Sequence, residues 1–188
     1  MITREYDIQK NRIMRIILIL IALPIILFLI PPPATQQDEN ARYSVFDTTM
    51  IAGYSFFHEN GIDITLESNI EFYNTLYPLI GIPHRSRAGR DGLDCSGLVK
   101  KVFNSVFGTQ LKGGSRDIFR QVNVITTEEL RETDLLFFKI NSSQINHMGI
   151  YLNNDKFVHS SAGSGVVIED FSKNYYQQHF YKAGRLTH

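Results

Sequence analysis

Asp94-Cys95-Ser96-Gly97-Leu98-Val99, continuing through Lys100 to Phe107 and Gly108, holds the only cysteine of a 188-residue chain. Leu98, Val99, Val102 and Val106 recur at three- and four-residue intervals, so the spacing predicts a helix from about Cys95 to Phe107 with Asp94 as its N-cap. A thiol in the first turn would lie at the positive end of the helix dipole, which lowers a cysteine pKa and raises its thiolate fraction. A lone cysteine in such a place is either a nucleophile or a small core hydrophobe. The rest of the chain decides between the two.

Downstream, Ile145-Asn146-His147-Met148-Gly149-Ile150-Tyr151-Leu152 and Lys156-Phe157-Val158-His159-Ser160-Ser161 both read as strands. Period-two alternation puts Ile145, His147, Gly149 and Tyr151 on one face and Met148, Ile150 and Leu152 on the other. Joined through Asn153-Asn154-Asp155, the two strands form a hairpin that can bring His147 close to His159. A thiol, a base and an orienting group are then available. Nucleophilic catalysis needs all three, because a neutral thiol is a poor nucleophile and the imidazole that takes its proton must be held in one tautomer.

With these residues in view, the sequence resembles the NlpC/p60-type cell-wall peptidases, papain-like cysteine enzymes. Their Asp-Cys-Ser-Gly-aliphatic signature, Gly-Asp-Leu-aliphatic-Phe-Phe strand, His-aliphatic-Gly-aliphatic-Tyr strand and following His correspond to Asp94–Val99, Thr133–Phe138, His147–Tyr151 and Phe157–His159. The resemblance covers roughly Glu71 to Leu186. It implies Cys95 as nucleophile, His147 as general base and His159 as orienting third residue. It also implies a peptidoglycan stem peptide as substrate, cut between γ-D-glutamyl and a diamino acid.

The chain departs from that pattern in places. Where many members carry a tyrosine whose hydroxyl helps to stabilise the oxyanion, this chain has His84 within Gly81-Ile82-Pro83-His84-Arg85. An imidazole N–H could donate in its stead, with the Cys95 backbone N–H as second donor; the alternative is a solvent-facing residue after a turn proline. The family's Trp-Gly-Gly is replaced by Ser86 to Gly92, a basic loop. Of the substrate-groove segment, Arg116 and Gln121 match and Ile118 does not. Asp94, Ser96, Arg116 and Asp117 are the substrate-binding candidates by analogy. An N-cap, a first-turn polar residue and a solvated helix-start acid are the plain alternatives for Asp94, Ser96 and Asp117.

At the amino terminus, Lys10, Arg12 and Arg15 precede Ile16 to Ile30, an uninterrupted apolar run, and no ionisable side chain follows until Asp38. The run predicts a membrane segment over residues 1–35, read as an uncleaved anchor with the catalytic domain outside the membrane; a signal peptide cleaved on secretion is the alternative. Residues 36–66 read as a linker or accessory element, and 67–188 as one catalytic domain. Nineteen basic and nineteen acidic residues balance, leaving no electropositive surface for nucleic acid. A single cysteine excludes internal disulfides.

The periodicity further predicts a helix from Ser68 to Tyr77 and strands over Asn123–Ile125, Asp134–Lys139, Ile145–Leu152, Lys156–His159 and Val166–Glu169, with Tyr181–Leu186 as a sixth. Helices first and strands after argue for an α+β fold, with the nucleophile helix packed on an antiparallel sheet of five or six strands. Three classes of function fit: a peptidoglycan hydrolase, another cysteine-dependent amidase or acyltransferase, and an inactive wall-binding module. The complete Cys95, His147, His159 set favours the first. No cofactor is expected, and a zinc site built from those three residues lacks the usual ligand spacings.

Overall fold

The computed structural model describes residues 36–85 and 92–187, with side chains described from Thr48 onward. The apolar run from Ile16 to Ile30 and the loop Ser86 to Asp91 lie outside the described residues. Among those described, no helix is long and apolar enough to cross a membrane. In chain order the elements are α1 (Gln36–Glu59), α2 (Ile70–Leu76) with a 3-10 turn (Tyr77–Leu79), α3 (Cys95–Phe107), α4 (Ser115–Phe119), β1 (Asn123–Ile125), β2 (Leu135–Phe138), β3 (His147–Tyr151), β4 (Lys156–Ser161), β5 (Gly165–Asp170), α5 (Asn174–His179) and β6 (Phe180–Arg185).

All six strands join one antiparallel sheet in the order β1-β6-β2-β3-β4-β5. One face carries Leu135, Phe137, Met148, Ile150, Val158 and Val166, packed under Leu98, Val99, Val102 and Phe103 of α3 and Phe72, Tyr73 and Leu76 of α2. The other face carries Leu136, Phe138, Tyr151 and Phe157, closed by Phe171, Tyr176 and Phe180. With apolar cover on both faces, all four residues of β2 are buried, as a central strand between two layers requires. The β3–β4 hairpin turns on Asn154 and Asp155 at φ 50° and 57°, the paired positive angles of a type I′ turn that Asn and Asp tolerate well. The alternation along β3 holds from His147 to Tyr151. Ile145 departs from it and joins the helix-side core, because it precedes the strand in a loop clamped by Asn146, whose side chain bonds both Ile140 N and Ile140 O at 2.8 Å.

The stretch read as a linker or accessory element is helical over Gln36–Glu59. The chain divides into a unit of residues 1–46 and a compact unit from Asp47 to His188. In the compact unit, the second half of α1 seats Phe57, 1% exposed, against Tyr73 at 4.9 Å between ring centroids. The compact unit starts at Asp47, and Phe57 and Ile62 close the α2 side of its core. The residues just before β2 also differ from the family pattern in a way that costs stability. Thr133, where the pattern has glycine, sits at φ 73°, a region unfavourable to a β-branched side chain. Thr133→Gly should stabilise the fold by about 1 kcal/mol, readable as a melting temperature raised by roughly 2–4 °C; a lowered melting point would show that the threonine side chain contributes more than its strain removes.

Candidate active site

Asp94 caps α3: its Oδ1 accepts from Gly97 N at 2.6 Å and from the Ser96 hydroxyl at 2.9 Å. Burial pushes the Asp94 carboxyl up, but those two donors together with Lys100 and His84 outweigh it and hold it below the usual carboxylate range. The cap fixes where the helix starts and so where Cys95 stands. Burial pushes the Cys95 thiol up to about 11, the Asp94 charge adds to this, and the backbone amides of Met148, Ser96 and Cys95 itself pull the other way. The helix-end lowering expected from the sequence is thus outweighed by the loss of water around the sulfur.

Cys95, His147, His159 and His84 line one cleft of about 360 Å3, with Asn146, Ser160, Tyr175 and Tyr176 among its walls. His147 Nε2 lies 2.8 Å from His159 Nδ1, so its Nδ1 is left for the thiol. His159 is 3% exposed and its ring stacks on Phe157 at 5.0 Å and 23°. Phe157 can take that place because residue 149 is glycine; a Cβ there would meet the Phe157 ring at 2.6 Å and Val158 O at 2.8 Å. Burial depresses both imidazoles, His147 to about 3 with the neighbouring His159 and His84 adding to the effect, and His159 to about 4. Both directions, the thiol raised and the imidazole lowered, favour the neutral thiol and the neutral base in the free site. The alkylation rate of this single cysteine by iodoacetamide should rise about tenfold per pH unit between pH 7 and 9. A plateau reached by pH 7 would instead reveal a preformed thiolate.

His84 reaches the same cleft along a strand-like approach. Gly81 N donates to Val166 O at 2.8 Å and Val166 N to Ile82 O at 2.9 Å, tying this segment to β5. Gly165, at φ 72°, lets the two backbones meet, since a Cβ there would strike Ile82 O at 2.3 Å. His84 Nδ1 is 2.9 Å from Ser160 Oγ, and the Ser160 hydroxyl donates to Leu93 O at 2.5 Å. The single hydroxyl proton is committed to the carbonyl, so Nδ1 must carry the proton shared with Ser160. A neutral His84 then has a bare Nε2 and offers no further N–H.

The other candidates are placed elsewhere. Asp94 and Ser96 are occupied in the cap, and neither lines the cleft. Arg116 and Asp117 are exposed on α4 and outside the cleft walls; Asp117 pairs with Arg120 at 2.8 Å. Gln121 Nε2 ties Lys112 O to Asp117 O, both at 2.9 Å, which makes it a loop clamp. Among the described residues, no group of three or more His, Cys, Asp and Glu is placed to hold a metal. The residue that sequence reasoning missed is Tyr176, whose hydroxyl lies 3.2 Å from His159 Nε2. It sits on a six-residue helix without a side-chain cap, and neither periodicity nor a capping signal marks that helix in the sequence.

A thiol at a helix start, a buried histidine pair and one antiparallel sheet meet at this cleft. The NlpC/P60 family model matches residues 81–185, and the chain belongs to that family. Among curated proteins, murein DD-endopeptidase MepS/murein LD-carboxypeptidase of Escherichia coli is 33% identical over 97 residues, covering 52% of this chain and 51% of that protein. The probable endopeptidase NlpC of Escherichia coli is 36% identical over 111 residues, covering 56% of this chain and 70% of that protein. The chain thus spans about half the length of MepS, and somewhat more of NlpC. Among solved structures, a lipoprotein-like NLP/P60-family protein from Staphylococcus aureus superposes with a TM-score of 0.58 at 26% identity, covering 67% of this chain and 43% of that one.

Proposed function

We propose that this chain hydrolyses peptide bonds in peptidoglycan stem peptides through a thioester on Cys95. The observation that carries the reading is the meeting of Cys95, His147 and His159 in one cleft of an NlpC/P60 domain. In the reaction, His147 Nδ1 takes the thiol proton as sulfur attacks the peptide carbonyl carbon. The C–N bond then breaks, and the amine leaves with the proton from His147. Water, deprotonated by His147, attacks the thioester and frees the carboxylate and the thiol. The Cys95 backbone N–H, one of the unpaired donors of the first helical turn, faces the developing oxyanion.

The bond we assign is the γ-D-glutamyl–diamino acid linkage. Relatives named as murein DD-endopeptidases favour a second reading, a bond between two D-residues. Digestion of purified muropeptides followed by mass spectrometry tests both, since each cut leaves fragments of different mass. Intact muropeptides after prolonged digestion would refute both and favour acyl transfer on another substrate. We further place the domain outside the cytoplasmic membrane on an N-terminal anchor, because basic residues precede the apolar run from Ile16 to Ile30. Recovery of a soluble form beginning near Thr35 would replace the anchor with a cleaved signal.

The same geometry sets a condition on His84. With its Nδ1 proton held by Ser160, His84 can donate to an oxyanion only as the imidazolium. His84→Phe should lower kcat roughly a hundredfold, as for the loss of one oxyanion donor. His84→Tyr should retain kcat, because a phenol O–H can donate to the oxyanion in place of the imidazole. Equal, near-wild-type kcat for both variants would reduce His84 to a wall residue.

A further inference from the structure

The hydrogen-bond chain does not end at the third residue. His147 Nε2, His159 Nδ1, His159 Nε2 and the Tyr176 hydroxyl follow one another at 2.8 and 3.2 Å, and His159 and Tyr176 are only 3% and 8% exposed. Each imidazole carries one proton when neutral, so the chain has two self-consistent orientations. In one, Tyr176 donates to His159 Nε2, His159 Nδ1–H donates to His147 Nε2, and the remaining proton of His147 sits on Nδ1. That ring cannot accept a proton from Cys95. In the other, every bond is reversed: His147 Nε2–H points to His159, His159 Nε2–H points to the tyrosine oxygen, and His147 Nδ1 is bare toward the thiol.

Resting on the thiol-peptidase reading above, we propose that Tyr176 is a positioning residue whose hydroxyl oxygen accepts from His159 and so keeps the histidine pair in the orientation that makes His147 a base. The phenol is itself held by packing. Its ring meets Phe157 edge-on at 4.8 Å and 82°, His159 at 5.6 Å and 78°, and Phe138 at 5.9 Å. Without the hydroxyl, a proton on His159 Nε2 would be a buried donor with no protein partner, which is costly enough to favour the unproductive tautomer. The aromatic packing would remain.

Tyr176→Phe separates the two contributions. It should lower kcat roughly ten- to a hundredfold, leave KM and the melting temperature near wild type, and shift His159 toward its Nδ1–H tautomer in 15N spectra of histidine-labelled protein. A kcat within about twofold of wild type would overturn the proposal, and so would a loss of kcat with the His159 Nε2–H tautomer unchanged. Cys95→Ala, measured in parallel, reports on the underlying mechanism alone. Activity surviving in Cys95→Ala would sink the thiol-peptidase reading, whereas an inactive Cys95→Ala beside a fully active Tyr176→Phe would sink only the role of the tyrosine.

Discussion

Cys95→Ala and His147→Ala are each expected to lower kcat roughly ten-thousandfold or more while leaving the fold intact. Each removes one half of a nucleophile–base unit, and such units fail as a whole when either member is lost. Folding should survive because Cys95→Ala removes a single sulfur atom and keeps the Asp94 cap at the helix start. Activity of Cys95→Ala above a few per cent of wild type would contradict the mechanism. His159 is expected to be more forgiving than either. An amide in its place can still accept from His147 Nε2, so His159→Asn should retain more kcat than His159→Ala, and the reverse order would count against an orienting role.

The second large effect concerns stability rather than chemistry. Asp134 is 1% exposed, and Arg185 grips both of its oxygens, Nε to Oδ1 at 2.7 Å and Nη2 to Oδ2 at 2.8 Å. Oδ2 also accepts from Arg131 N at 2.8 Å. This fork joins the start of the central strand β2 to the end of its neighbour β6. Removing the carboxylate leaves the partly buried Arg185 guanidinium without its counter-charge, still held by Glu129 O at 2.6 Å, and the Arg131 amide without its acceptor; breaking such a pair typically costs about 3–5 kcal/mol. Asp134→Ala should therefore lower the unfolding free energy by that amount in urea melts, with Asp134→Asn losing less because its amide oxygen still accepts. A loss for Asp134→Ala below about 1 kcal/mol would mean that water reaches the pair freely.

Much of this architecture was legible in the sequence, for identifiable reasons. The helix from Cys95 to Phe107 carries a clean apolar stripe, a capping acid and a terminal glycine, and the structure begins and ends it at those residues. The strand β3 announced itself by alternation and β2 by a short uninterrupted apolar run, Leu135 to Phe138, and the hairpin turn placed His147 and His159 within hydrogen-bonding range. The helix α1 was hidden because its apolar residues do not gather on one stripe, so Gln36 to Glu59 reads as polar chain with aromatic interruptions. The α5 helix is one and a half turns of Asn, Tyr, Gln and His, too short for any period to show, and Tyr176 was lost with it. The charge state of Cys95 could not be read either. The helix end is visible in sequence, whereas the burial that opposes it arises only when β3 closes over the sulfur.

The most direct test of the thioester mechanism is the intact mass of the enzyme, rapidly quenched in acid while turning over a purified muropeptide. A transient adduct on Cys95, equal in mass to the acyl fragment of the substrate, should appear before the free carboxylate product and be absent from Cys95→Ala. Product accumulating with no adduct on the wild-type enzyme, and at an equal rate with Cys95→Ala, would contradict it.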